Sequence, residues 1–242
     1  MTDRAPPSFY AHTGTWGDWW TLLHPPYTLW HLSYAAIGAS LAPSFDTGRL
    51  LATISAFFLA IGVGAHALDE LHGRPLRTGI SSRMLVTVAG IGLGGALTLG
   101  VIGTRSLGWG LTPFIVVGAL IVPAYNLEWL GARLHTGFVF AASWGAFPVL
   151  VSYFAQAERL DVIALIGAAA CFALSVAQRS LSAPARLLRR RVQRLEGEFE
   201  LTDGQVTNLD LATMLRPLEL ALRAISWGLV ALAIALLASR LT

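Results

Sequence analysis

Lysine is missing altogether from the 242 residues, so all 17 basic side chains are arginine. No Schiff base to retinal or pyridoxal can form on such a chain, and no P-loop lysine exists to reach a phosphate. Cysteine is almost as scarce. Cys171, alone in an apolar run, excludes an internal disulfide and a cysteine zinc cluster. Charge of either sign is thin, since Asp, Glu, Lys and Arg make up 13% of the chain where a soluble domain carries about 25%. Hydrophobic residues account for 55%, and apolar stretches repeatedly approach or exceed the roughly 17–25 residues that cross a bilayer. A soluble globular protein and a two-domain reading are therefore excluded. The opening MTDRAPPSFYAHTG has no hydrophobic core, so no cleaved signal peptide is expected and the first span serves as the insertion signal.

Seven spans can be drawn, at Tyr27 to Pro43, Leu50 to Leu68, Met84 to Thr104, Leu107 to Tyr125, Leu134 to Ala157, Val162 to Gln178, and Pro217 or Ala224 to Ser239. These continuous runs lack the alternation of a barrel strand, and only helices or closed barrels satisfy the backbone in lipid. The expectation is a single all-α transmembrane bundle over residues 1–242, with residues 1–24 as a tail and 179–216 as the one long connection. With the N-terminus inside, 13 of the 17 arginines, Arg4 included, fall on the cytoplasmic side, which satisfies the positive-inside rule. A plasma-membrane location with the site facing the cytoplasm follows. In the long connection, Leu187, Leu188, Val192, Leu195 and Phe199 recur at helical spacing among arginines, which predicts an amphipathic helix at the inner interface. Gly90, Gly92, Gly94 and Gly95 spell the letters of a dinucleotide fingerprint inside an apolar run, and read instead as close helix packing. Trp16, Trp19, Trp20 and Trp30 sit where interfacial anchors belong.

Ionisable residues within or at the ends of membrane helices cost free energy and need a reason. Their richest concentration closes the second span and enters the following loop, with His66, Asp69, Glu70, His72, Arg74 and Arg77. On a helix, His66 shares a face with Asp69 and Glu70 at i+3 and i+4. The inferred topology brings His24, His31, Tyr125, Asn126, Glu128, Arg133 and His135 to the same membrane side, and all six histidines belong there. A wet, charged cavity at the inner helix ends is expected. Carboxylates beside arginines suit a diphosphate: acids bind Mg²⁺, the metal bridges phosphate oxygens, and guanidinium groups take the remaining charge. Charge neutralised in this way stabilises diphosphate as a leaving group. Histidine suits zinc or iron better, so His66, Asp69, Glu70, His72, Glu128 and His135 form the alternative, transition-metal ligand set.

Beyond this point the residues resemble the UbiA superfamily of intramembrane prenyltransferases. The resemblance is carried by His24-Pro25-Pro26 before the first span, by Asp69-Glu70 in place of an aspartate-rich motif, and by Arg74-Pro75-Leu76-Arg77-Thr78-Gly79-Ile80-Ser81 as the loop after it. Ala124-Tyr125-Asn126-Leu127 with Arg133, and the Trp144-Gly145 to Pro148 pattern, extend it over roughly residues 25–156. The chain has His66 and His72 among its acids, and arginines follow Ser175-Val176-Ala177-Gln178 where the family carries a second aspartate-rich motif. The resemblance implies a prenyltransferase or terpene cyclase in which Asp69 and Glu70 are catalytic and hold Mg²⁺. Arg74, Arg77, Tyr125, Asn126 and Arg133 would then bind the isoprenyl diphosphate. The expected partners are that diphosphate, a lipid-soluble acceptor and membrane lipid, with no nucleic acid. Two readings stay open beside it: a zinc or iron enzyme acting on a lipid, and a non-catalytic lipid-binding or transport protein on the same scaffold.

Overall fold

The structure, a computed structural model, describes residues 8–12, 14–129, 131 and 133–241; Arg4, counted above for orientation, lies outside the described residues. It is an all-α membrane bundle carrying one small hairpin. A short helix α1 (Thr15–Leu22) precedes α2 (Pro25–Leu41). Six further helices are long and apolar enough to cross a membrane: α3 (Thr47–Leu71), α4 (Ser82–Leu107), α5 (Trp109–Asn126, opening on a 3₁₀ turn), α6 (Gly137–Ala157), α7 (Val162–Arg191) and α8 (Leu211–Leu241). Strands β1 (Glu196–Glu200) and β2 (Val206–Asp210) pair antiparallel between α7 and α8.

The centre belongs to α2. It has 17 residues, 11 of them buried, and packs against α3, α6, α7 and α8. Its approach to α6 is close because Gly38 has no side chain: a Cβ there would stand 2.4 Å from the Val149 carbonyl oxygen. The outward faces of α4, α5, α7 and α8 expose Val86, Ile91, Val101, Val117, Ile166 and Ile234, the surface lipid requires. Gly92 of α4 meets the Leu59 carbonyl oxygen and Gly64 of α3, whereas Gly90 and Gly94 face open space. Close packing in the glycine-rich run thus rests on Gly92, with Gly95 meeting the Leu59 side chain.

Capping fixes where several helices begin. Asp46, Ser81, Thr136 and Asp161 each accept a backbone N–H in the first turn of α3, α4, α6 and α7. The Tyr153 hydroxyl donates to Asp161 at 2.6 Å, which together with the cap holds that carboxyl below its ordinary pKa. Two helices are locally widened into π turns, α3 over Phe58–Ala65 and α6 over Ala141–Ala146. Such π segments inside α-helices recur at functional sites.

The long connection differs from the expectation. Instead of a separate interfacial helix, α7 runs unbroken past Gln178 to Arg191. Its buried residues, Cys171, Ser175, Gln178, Ser182, Ala185 and Leu188, keep three- and four-residue spacing through the join. Val192 then turns extended, Leu195 lies outside any helix, and Phe199 lies in β1. Alternating Glu-Gly-Glu-Phe-Glu followed by Asp203-Gly204, with Gly204 at φ 83°, is a hairpin signal. Likewise α8 begins at Leu211 rather than at Pro217 or Ala224.

Candidate functional site

Polar side chains gather at the end of the bundle where α2, α4, α6 and α8 begin and α3, α5 and α7 finish, the end that holds most of the arginines. His24 caps α2 in the left-handed conformation, φ 46°, and its half-buried ring lies 4.5 Å from that of His66. Tyr10, folded in from the N-terminal segment, hydrogen-bonds through its hydroxyl to His24 Nδ1. Burial holds the His24 imidazole well below its ordinary pKa of 6.5, and the neighbouring His66 adds to the effect. Burial likewise pushes the Tyr10 hydroxyl up, helped by Tyr27. The two π segments each supply a carbonyl to an imidazole: His66 Nδ1 donates to Gly62 at 3.3 Å and His31 Nδ1 to Trp144 at 2.8 Å.

Asp69 and Glu70, neighbours in sequence, part company in space. Glu70 is fully buried and turned into the loop that follows α3, where it accepts Leu76 N–H at 2.9 Å, Thr78 N–H at 2.8 Å and the Thr78 hydroxyl at 2.9 Å. Three donors and the loop backbone thus enclose the carboxylate that the sequence offers as a catalytic and metal-binding acid. The Asp69 carboxylate makes no hydrogen bond among the described residues and faces the interior, within electrostatic reach of Arg190, Arg186 and His135.

The remaining sequence candidates divide in the same way. Arg74 Nη2 reaches the Ser82 hydroxyl at 2.8 Å and its Nη1 the Ile80 carbonyl, so it ties the loop to α4. Arg77 and Arg133 are exposed on their loops, and Asn126 donates back to the Val122 carbonyl at 2.7 Å. The bonds of Arg74 and Asn126 are thus made outside the interior cluster. Tyr125 belongs to it: the ring stacks on His135 at 4.5 Å, and the hydroxyl accepts from Arg179 Nη1 at 3.0 Å. Glu128 lies between two imidazoles, 3.7 Å from His72 Nε2 and 3.8 Å from His135 Nδ1, and links the loops after α3 and α5. Among the described residues no three His, Cys, Asp or Glu side chains gather in a way that could hold a metal ion. The six-residue metal set therefore does not assemble as one site.

Sequence reasoning missed the arginines that do enter the cluster. Arg179 donates to Tyr125 and lies 5.2 Å over the Phe140 ring, while Arg186 and Arg190 sit near Tyr10, Tyr27 and Asp69. Ending the sixth span at Gln178 assigned these residues to a connector. The sequence offered only a weak signal, because Cys171, Ser175, Gln178, Ser182, Ala185 and Leu188 keep helical spacing across that boundary but are mostly small or polar.

At the far end of the bundle lies an apolar chamber of about 570 Å³ between α3, α4, α5 and α6. Trp144 is common to both regions: it lines the chamber, its carbonyl accepts from His31, and its ring meets Tyr125 edge-on at 5.8 Å. Comparison of the chain with family models, with curated proteins and with solved structures finds no match.

Proposed function

We propose that the protein binds an isoprenyl diphosphate at the basic end of its bundle and transfers the isoprenyl group to a lipid-soluble acceptor, as the UbiA-like loop implies. One observation carries the reading: Arg179, Arg186 and Arg190 enter the interior from α7 beside Asp69, Tyr10, Tyr27 and Tyr125, instead of lying on a solvated connector. Guanidinium groups bind phosphate oxygens in bidentate fashion and take up the charge of a departing diphosphate. In the proposed step the allylic C1–O bond breaks with its electron pair leaving on diphosphate. The carbocation is captured by the acceptor, which loses a proton. Surrounding helices keep water from the cation, and the site faces the cytoplasm of a plasma membrane if the arginine count sets the orientation.

Magnesium, implied by the resemblance, does not fit the residues present. Hard cations take several oxygen ligands, whereas Glu70 is enclosed by its loop, Glu219 is paired with Arg189, and Asp69 lies by Arg186 and Arg190 outside any group of three potential metal ligands among the described residues. No step is routed through a metal, and Asp69 is read as positioning Arg186 and Arg190. The same enclosure of Glu70 favours a second reading, that of a protein which binds the amphiphile without turning it over.

Purified protein in phosphatidylcholine nanodiscs separates these readings. Saturable binding of farnesyl or geranylgeranyl diphosphate, weakened tenfold or more in Arg186→Gln, with diphosphate release, supports the transferase. Binding without release leaves the carrier, and no saturable binding to folded protein overturns both.

A further inference from the structure

We infer that the chamber at the far end of the bundle is a second ligand site, one that takes a single linear isoprenoid or similar hydrocarbon chain bearing an uncharged polar head. It is independent of the diphosphate reading, since none of the arginines invoked there lines it. Its walls are apolar and aromatic: Phe57, Phe114, Trp144 and Phe147 stand among Leu, Ile, Val and Ala side chains. A concave apolar space of this size with a few polar groups at one edge is the usual form of a small-molecule site.

Shape and charge identify the occupant. Along α3 the lining runs from Asp46 to Ile61, about 22 Å at the rise of a helix, so the space of about 570 Å³ is elongated along the helices. An elongated apolar space suits a hydrocarbon chain laid along the helices better than a compact polar solute. Trp144 and Val122 close its deep end, and Asp46, Gly48, Arg49 and Ser106 lie at the rim. The arginine among the lining residues is engaged by the protein itself. Arg49 Nη2 pairs with Glu158 at 2.8 Å, its Nη1 donates to the Ala155 and Gln156 carbonyls, and the Asp46 carboxylate accepts the Arg49 N–H. For a phosphate head, the arginine within the lining is thus already engaged. A hydroxyl can use the Asp46 and Ser106 oxygens.

The test uses a diazirine-bearing farnesol as photoprobe, with the full chain in phosphatidylcholine nanodiscs and adducts mapped by peptide mass spectrometry. Saturable labelling is expected on chamber residues such as Leu97, Ile115 and Val151. Excess plain farnesol should compete, and farnesyl diphosphate should not. Ala96→Phe and Ala119→Phe fill the slot and should lower labelling at least fivefold, while Val117→Phe, on the lipid-facing side of α5, should leave it unchanged. Should a filling variant fail to fold, competition on the unaltered chain still decides. Labelling equally strong at Val117 and Leu120, or insensitive to farnesol, overturns the inference and marks ordinary lipid contact. So does labelling of the chamber by a diazirine phosphatidylcholine that farnesol cannot displace. Farnesyl diphosphate binding and its loss in Arg186→Gln, measured on the same samples, report the basic end separately, so either site can fail alone.

Discussion

Asp69 and Glu70 share a charge and a turn of helix, yet substituting them should have opposite consequences. Glu70→Ala leaves two backbone N–H groups and a hydroxyl without their acceptor inside a buried loop. Each such orphan costs about 1–3 kcal/mol, so thermal unfolding should show a loss of at least about 3 kcal/mol. Asp69→Asn removes no hydrogen bond among the described residues, and should keep its melting temperature while weakening diphosphate binding. Sequence spacing placed both acids on one helix end but could not show the direction of either. Glu70's fate depends on the loop folding back six and eight residues later, which helical periodicity does not encode. His24 gives a pH prediction at the same scale. Its folded pKa lies below the ordinary 6.5 because burial and His66 disfavour the imidazolium, so the unfolded chain binds more protons. Its contribution to stability is fully present above pH 6.5 and is lost as pH falls through that value toward the folded pKa. Melting temperatures followed downward from neutral pH should decline, and His24→Gln should flatten that decline.

Element by element, the apolar runs were legible because hydropathy is local, and the starts of α4, α6 and α7 fell within a few residues of expectation. The ends were less so. Arginines at positions 179–191 look like a solvated connector, yet α7 continues because Ser175, Gln178, Ser182 and Ala185 are small or polar and still buried. Small buried residues give little hydropathy signal while allowing close helix approach. The same extension lets Arg189 meet Glu219 of α8 in a two-pronged contact, with Nη2 to Oε2 at 2.7 Å and both side chains largely buried. Leaving either charge unpaired is costly. Glu219→Gln and Arg189→Gln should each destabilise by about 2 kcal/mol after allowance for residual solvent access. The double variant should recover part of the loss, and a double-mutant cycle measures that coupling. Glycine makes a parallel contrast. Gly38→Ala drives a Cβ against the Val149 carbonyl and should cost about 1–3 kcal/mol. Gly94→Ala meets nothing and should be neutral, or gain up to about 1 kcal/mol from helix propensity.

For the whole molecule, the membrane class followed from composition, because 13% charge and repeated long apolar runs leave few alternatives. Convergence of the helix ends did not, since it arises from which helices are neighbours, and α2 came to the centre through packing at Gly38 and Ala35. Orientation is where sequence and architecture can be tested together. The hairpin, the loop after α3 and the loop after α5 lie at one end of the bundle, and the turns at Ser44, Gly108 and Glu158 at the other. Twelve of the sixteen described arginines sit on the hairpin side, and arginine in short loops is retained in the cytoplasm. Cys171 is buried, so a Cys171→Ser background gives a clean chain for single-cysteine labelling. Asp203→Cys in the hairpin turn should resist a membrane-impermeant maleimide in intact cells and react after permeabilisation. Ser44→Cys, at the opposite end, should react in both. The reverse pattern would place the arginine cluster outside, where cytoplasmic diphosphates cannot reach it, and would remove the cellular basis of the proposed transferase while leaving the packing of the bundle unaffected.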